Sequence, residues 1–177
     1  LTTIGTYLVD RIRPLAREVD PADAMAHPER ARLMMLNPSG IRLLAVVFLA
    51  AAMTLSFLFI PLASIVVVGA PMGVLLYGHR RQGVRLKDRL YIKNAIVAVS
   101  MVAMFVFLAG SWENLLLLGF ASLCLLLHVF ADAMLCDIDD RHADEKFGTR
   151  TIPNVYGVRA TWNMALVMNM GAAALLL

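Results

Sequence analysis

The sequence predicts an all-α, polytopic transmembrane helical bundle. Sixty per cent of its 177 residues are hydrophobic and only 16% are charged. Soluble domains are about half apolar and about one-quarter charged, and a chain of this size has too small an interior to hide the excess apolar surface. The apolar residues also form continuous blocks, unlike the alternating pattern of a membrane β-barrel. Such blocks are typical of helices that cross a bilayer.

Five apolar blocks follow a short apolar segment, residues 1–9, that resembles the end of an earlier span. The blocks cover residues 43–60, 62–76, 95–110, 115–131 and 164–177. Each is close to the roughly 20 residues that a helix needs to cross the hydrocarbon core. We expect residues 1–177 to form a single transmembrane helical domain. Because both ends of the sequence lie in apolar segments, we also expect a fragment that is incomplete at both ends.

The basic residues indicate which connections face the cytoplasm. All 16 lysines and arginines fall before the first block, between the second and third, or between the fourth and fifth. Membrane proteins retain such residues on the cytoplasmic side. We therefore expect cytoplasmic loops at about 10–42, 78–94 and 137–160, in a multi-pass protein of the bacterial inner membrane. The net charge of +3 is then a signal of topology and not of nucleic-acid binding.

The third loop carries the clearest candidate site. It reads DIDDRHADEKFGTRTIPNVYG and follows an apolar block without a turn residue, which predicts that the helix continues into it. Asp137, Asp140 and Asp144 then share one helix face, whereas Asp139 points away. Adjacent carboxylates repel unless a cation lies between them, and Mg²⁺ or Ca²⁺ prefers such oxygen ligands. The pattern predicts a metal-bridged phosphate site, and the alternative is a solvated helix end.

The same segment resembles the second signature of the UbiA superfamily of intramembrane prenyltransferases. That signature, DxxDxxxD followed by Gly, Thr-Leu-Pro and Gly, is matched by Asp137, Asp140, Asp144, Gly148, Thr151-Ile152-Pro153 and Gly157. The resemblance implies a UbiA-like fold and Mg²⁺-dependent transfer of a prenyl group. The donor would be a polyprenyl diphosphate, and the acceptor a small lipophilic, often aromatic, molecule within the bilayer. It also implies that Asp137, Asp140 and Asp144 are the catalytic metal ligands.

The first signature of the superfamily is degraded in this chain. In its place stands Tyr7-x-x-Asp10-Arg11, which is similar to a divergent branch of the superfamily, followed by Asp20 and Asp23 without regular spacing. Asp10 is the expected surviving metal ligand, and Asp20 is the alternative.

The resemblance also implies that residues of the second and third loops bind the diphosphate. The candidates are Tyr77, Arg80, Lys87, Lys93, Arg141 and Arg150. For any one of the basic residues taken alone, the alternative is a role in membrane topology only.

Two other kinds of protein combine membrane helices with a carboxylate cluster. An alcohol phosphatidyltransferase needs a Gly-Ala-Arg framework between its carboxylates, and the sequence lacks it. A transporter, or a non-catalytic membrane protein that binds a cation, remains the alternative function. His128 and Asp132, four residues apart near the end of the fourth block, fit either a paired role in a cavity or an interfacial position.

Overall fold

The structure is a computed structural model that describes residues 1–12, 21–78, 80–81, 84–85, 88–109 and 114–175. Apart from connecting turns and one short antiparallel strand pair, its described residues are helical, so the predicted all-α class is confirmed. The chain divides into two compact units, Leu1–Arg85 and Leu86–Leu177, and each is described by itself. That residues 1–177 form a single domain stays a prediction.

The described part of the first unit contains five helices and a strand pair. The helices are α1 (Thr2–Ile12), α2 (Pro21–Ala26), α3 (Pro28–Leu36), α4 (Pro38–Phe59) and α5 (Ser64–Gly78). A 3-10 turn, Pro61–Ala63, joins α4 to α5, and strands β1 (Arg80–Arg81) and β2 (Val84–Arg85) follow. α1 packs against α4 and α5.

Local sequence determines where α4 begins and how closely α1 approaches it. Pro38 is the first residue of α4, a position where the missing N–H of proline costs nothing. The side-chain oxygen of Asn37 accepts a hydrogen bond from the backbone N–H of Gly40 at 2.9 Å, which caps the helix. A Cβ added at Gly5 of α1 would lie 2.7 Å from Cγ of Leu49. The contact between α1 and α4 therefore depends on a residue without a side chain.

The second unit contains the helices that carry the candidate site. They are α6 (Ile92–Leu108), α7 (Leu115–Asp139), α8 (Arg141–Lys146), α9 (Ile152–Tyr156) and α10 (Val158–Ala174). α7 packs against both α6 and α10. Ala98 of α6 and Ala131 of α7 are completely buried, and small residues of this kind let helices approach closely.

Two helices of the described chain, α4 and α7, are long and apolar enough to cross a membrane. Only 11% of the most apolar stretch of each is buried, unlike the core helix of a soluble protein. The apolar segments Pro61–Leu76 and Ile92–Leu108 are shorter. α6 begins before its predicted apolar block, and α7 ends after its own, because the polar residues at those ends keep the helical hydrogen bonds.

Candidate functional site

The Asp-rich segment is helical, as predicted, with a break at Asp140 between α7 and α8. The backbone N–H of Asp144 donates to the carbonyl of Asp140 at 2.9 Å, so helical hydrogen bonding continues across the break. Asp137 and Asp144 are buried, with 2% and 7% of their surface exposed. Asp140 is half-buried, and Asp139 is exposed. The segment therefore places two carboxylates in the interior of the unit.

Lys93, in the first turn of α6, lies between the two buried carboxylates. Its Nζ is 2.7 Å from Oδ1 of Asp137 and 3.3 Å from Oδ2 of Asp144. Asn94, the next residue, donates its side-chain N–H to Oδ2 of Asp137 at 2.9 Å. Each oxygen of Asp137 thus has a polar partner, which offsets the cost of burying its charge.

These charges change one another's affinity for protons. Burial lowers the pKa of Lys93, but attraction to Asp137 and Asp144 outweighs burial, and the pKa of Lys93 is raised. Burial raises the pKa of Asp144 by more than Lys93 lowers it, and repulsion from Asp137 adds to the increase. Lys93 therefore stays positively charged. Asp144, in contrast, lies in surroundings that favour additional positive charge.

The chain turns sharply after the carboxylates. The backbone N–H of Thr149 donates to the carbonyl of Asp144 at 2.8 Å, and that of Gly148 donates to the carbonyl of Glu145 at 3.2 Å. This pair of bonds is the Schellman motif that ends many helices, and it needs the positive φ of +74° at Gly148. Thr151 follows with 1% exposure, and its hydroxyl has no hydrogen-bond partner among the described residues.

Asp88 connects this turn to the segment that precedes Lys93. Its backbone carbonyl accepts a hydrogen bond from the N–H of Arg150 at 3.0 Å, and its carboxylate accepts one from the hydroxyl of Thr149 at 3.2 Å. A second connection joins Tyr91 and Tyr156, whose hydroxyl oxygens are 2.6 Å apart and whose rings stack. The segment ahead of α6 and the segment after α8 are therefore joined at two points.

The donor set fits a Mg²⁺ ion that takes two protein carboxylates and completes its shell with phosphate oxygens. Asp137 and Asp144 both contact one cation, the ammonium of Lys93, so their oxygens face a position that holds positive charge. Within the described ranges, no group of three or more His, Cys, Asp or Glu side chains is placed to hold a metal ion. A metal ion held by these two carboxylates would complete its coordination shell with water or with substrate oxygens.

The predicted basic residues of the third loop differ in exposure. Arg141 is half-buried, and its backbone carbonyl accepts a hydrogen bond from the side chain of Asn154 at 3.3 Å. Arg150 is exposed. The other predicted diphosphate ligands, namely the side chains of Tyr77 and Arg80 and the whole of Lys87, lie outside the described residues.

Asp10, the predicted metal ligand of the first signature, belongs to α1 in the first unit. Its Oδ2 is 4.0 Å from Nε of Arg11, and the guanidinium of Arg11 lies 5.0 Å from the ring centre of Tyr7. The Tyr-x-x-Asp-Arg sequence thus forms one local cluster on a helix. Asp20, the alternative ligand, lies outside the described residues.

The sequence reasoning missed Asn94 and Asp88. Asn94 had a usable signal, since it is an amide beside Lys93 at the start of an apolar block. Asp88 had none, because an acidic residue in a basic loop is unremarkable by sequence.

The predicted pair of His128 and Asp132 is in contact. The Nε2 atom of His128 is 3.6 Å from Oδ2 of Asp132, and its Nδ1 atom is 2.8 Å from Oδ1 of Asn169.

Comparison with known proteins identifies the family. The model of the UbiA prenyltransferase family matches residues 31–177. No curated protein and no solved structure matches the chain. The matched segment includes Lys93, Asn94 and the carboxylates of the third loop, whereas Asp10 precedes it. The match covers most of the chain, and the protein is therefore a membrane-integral member of the UbiA prenyltransferase family.

Proposed function

We propose that this chain transfers a prenyl group from a polyprenyl diphosphate to a small lipophilic, often aromatic, acceptor within the membrane, in a reaction that needs Mg²⁺. The observation that carries the proposal is the pair of buried carboxylates, Asp137 and Asp144, that share one cation within the family's Asp-rich signature. Burying two acidic groups is costly unless cations compensate them. The arrangement therefore suits a site that must gather positive charge around a phosphorylated substrate.

In this reaction the bond between the first prenyl carbon and the diphosphate breaks, and the electron pair leaves with the diphosphate. The acceptor carbon then bonds to the prenyl carbon and gives up a proton to water or to the released diphosphate. Mg²⁺, when bound, supplies charge neutralisation that makes the diphosphate a better leaving group. The apolar helices keep water away from the reactive prenyl carbon, which would otherwise be hydrolysed.

The roles of the residues follow from their charges. Asp137 and Asp144 would hold the metal, with Asp140 proposed as a further ligand from the same signature, and Lys93, Arg141 and Arg150 would neutralise diphosphate oxygens. Further contributions are proposed for residues of the other loops, namely Asp10 as a metal ligand and Tyr77, Arg80 and Lys87 as diphosphate ligands. We also propose a multi-pass arrangement in a bacterial inner membrane with all of these loops on the cytoplasmic side, as the distribution of basic residues indicates.

The experiment uses the purified protein in lipid nanodiscs with a radiolabelled polyprenyl diphosphate and a panel of aromatic acceptors. We expect labelled lipophilic product with Mg²⁺ and none with EDTA. Asp140→Ala and Asp144→Ala should each lower turnover by about 100-fold or more, since removing one group that stabilises transition-state charge has effects of that order. Asp139→Ala is the matched control, because Asp139 is the exposed neighbour in the same segment, and it should retain turnover.

Turnover that persists in EDTA, or in Asp144→Ala, would contradict the proposal. The transport alternative gives a different result. It predicts cation-dependent solute uptake into proteoliposomes, with no diphosphate released from the prenyl donor.

A further inference from the structure

Lys93 occupies the position between the carboxylates that a metal ion would share. Its Nζ contacts Oδ1 of Asp137 at 2.7 Å and Oδ2 of Asp144 at 3.3 Å. The side chains of these carboxylates are 3% and 9% exposed, and that of Lys93 is 25% exposed. A divalent cation and the lysine ammonium therefore compete for the same two oxygens.

The carboxylates do not depend on Lys93 alone for their placement. Asn94 donates to Oδ2 of Asp137 at 2.9 Å, on the oxygen that Lys93 does not contact. The backbone N–H of Asp144 is bonded to Asp140, and the backbone carbonyl of Asp144 accepts from Thr149. Both acidic residues thus have anchors that would persist if the lysine side chain turned away.

We propose that Lys93 is an exchangeable cation, which neutralises Asp137 and Asp144 before substrate binds and then moves its ammonium to the diphosphate when the metal takes over the carboxylates. This proposal rests on the proposed function and adds an order of loading to it. Metal and diphosphate bind together. The metal displaces the Lys93 ammonium from the carboxylates, and the diphosphate supplies a new anionic partner for that ammonium.

The physical reason is the cost of an unpaired charge. A metal ion that arrives alone must displace a buried ammonium from both of its partners and leave it uncompensated. When diphosphate is present, the displaced ammonium gains new anionic oxygens, and that cost disappears. Metal and diphosphate binding are then positively coupled, and the coupling is the same whichever of the two is varied.

The test measures two affinities in the full chain in detergent. Binding of Mn²⁺ alone is followed by the electron paramagnetic resonance signal of the free ion. Binding of radiolabelled inorganic pyrophosphate at saturating Mn²⁺ is followed by equilibrium dialysis. For Lys93→Gln we expect Mn²⁺ alone to bind about tenfold more tightly than in the unsubstituted protein, since the competitor is gone. We expect pyrophosphate to bind about tenfold more weakly, the loss that one charge-assisted hydrogen bond typically gives.

The opposite signs are the decisive feature. A lysine that merely held the carboxylates in place would, on removal, weaken both affinities. Lys146→Gln is the matched control, because it removes the same charge from an exposed position on α8, and it should change each affinity by no more than about twofold.

Unchanged or weaker Mn²⁺ binding in Lys93→Gln would refute the proposal that Lys93 competes with the metal for the carboxylates. Unchanged pyrophosphate binding would refute the proposal that the Lys93 ammonium moves to the diphosphate. If Lys93→Gln does not fold, the double variant with Asp137→Asn restores the charge balance. It must bind Mn²⁺ more tightly than Asp137→Asn alone, and equal or weaker binding would refute the idea. If the unsubstituted protein binds neither probe, the proposed function itself fails, which is a distinguishable result.

Discussion

Replacing Asn94 by alanine tests how much the buried amide contributes to the stability of the second unit. Asn94 and Asp137 are each 2% exposed, and their hydrogen bond is 2.9 Å long. Hydrogen bonds to charged groups contribute about 1.5–3 kcal/mol, and a buried acceptor left without one of its donors loses about that amount. Lys93 still neutralises the other oxygen of Asp137, so we expect about 2 kcal/mol of lost stability and not complete unfolding.

The assay is unfolding of the purified protein by SDS in mixed micelles, followed by circular dichroism. Asn163→Ala is the matched control, because it makes the same chemical change at an exposed position on α10. Surface substitutions of that kind usually change stability by less than about 0.5 kcal/mol. The difference between the two variants therefore isolates the buried amide.

A double-mutant cycle with Asp137→Asn assigns the effect to the pair. We expect a coupling energy of at least about 1 kcal/mol, because the two side chains are in direct contact. The reasoning is refuted if Asn94→Ala is no more destabilising than Asn163→Ala, or if the two substitutions at the buried pair are simply additive.

Replacing either of two glycines by alanine is expected to destabilise the protein, for different physical reasons. Gly148→Ala should lower stability by about 1–2 kcal/mol through its φ of +74° alone, since nothing lies within 4 Å of an added Cβ. Gly119→Ala, on the open surface of α7, should cause no loss; equal thermal midpoints for the two would contradict this account. Gly5→Ala should cost about 1–3 kcal/mol, because its Cβ would overlap Leu49 across the contact between α1 and α4. Gly69→Ala, with open space around it, serves as the comparison in the same SDS titration, and similar stability of both variants would argue against the overlap.

The fold class and the long apolar helices were predictable from hydropathy alone, whereas the short helices α2, α3, α8 and α9 lie outside the apolar blocks. Continuous apolar blocks near the length of a membrane span rarely form anything but helices, and the predicted blocks 43–60 and 115–131 fall within or almost within α4 and α7. The helix ends were less predictable, because a helix continues wherever its hydrogen bonds do. Asp137 stays in α7, and Lys93 stays in α6, although both are charged. Hydropathy shows where an apolar block ends, and a helix can continue past that point.

The contacts of the site could be predicted only in part. The spacing of Asp137 and Asp144 indicated a shared face and a cation between them. That the cation belongs to Lys93 depends on how α6 packs against α7, and residues more than 40 positions apart come together only through that packing. Periodicity within one helix does not specify which face of a neighbour it meets. The role of Asp88 was hidden for the same reason.

The hydrogen bonds from Asp88 to Thr149 and Arg150 have a kinetic consequence. With the contact between Tyr91 and Tyr156, they join the residues ahead of α6 to the segment after α8, so the two segments can separate only if these contacts break. Amide hydrogen exchange at Arg150 would report such a separation, because its N–H donates one of the hydrogen bonds to Asp88.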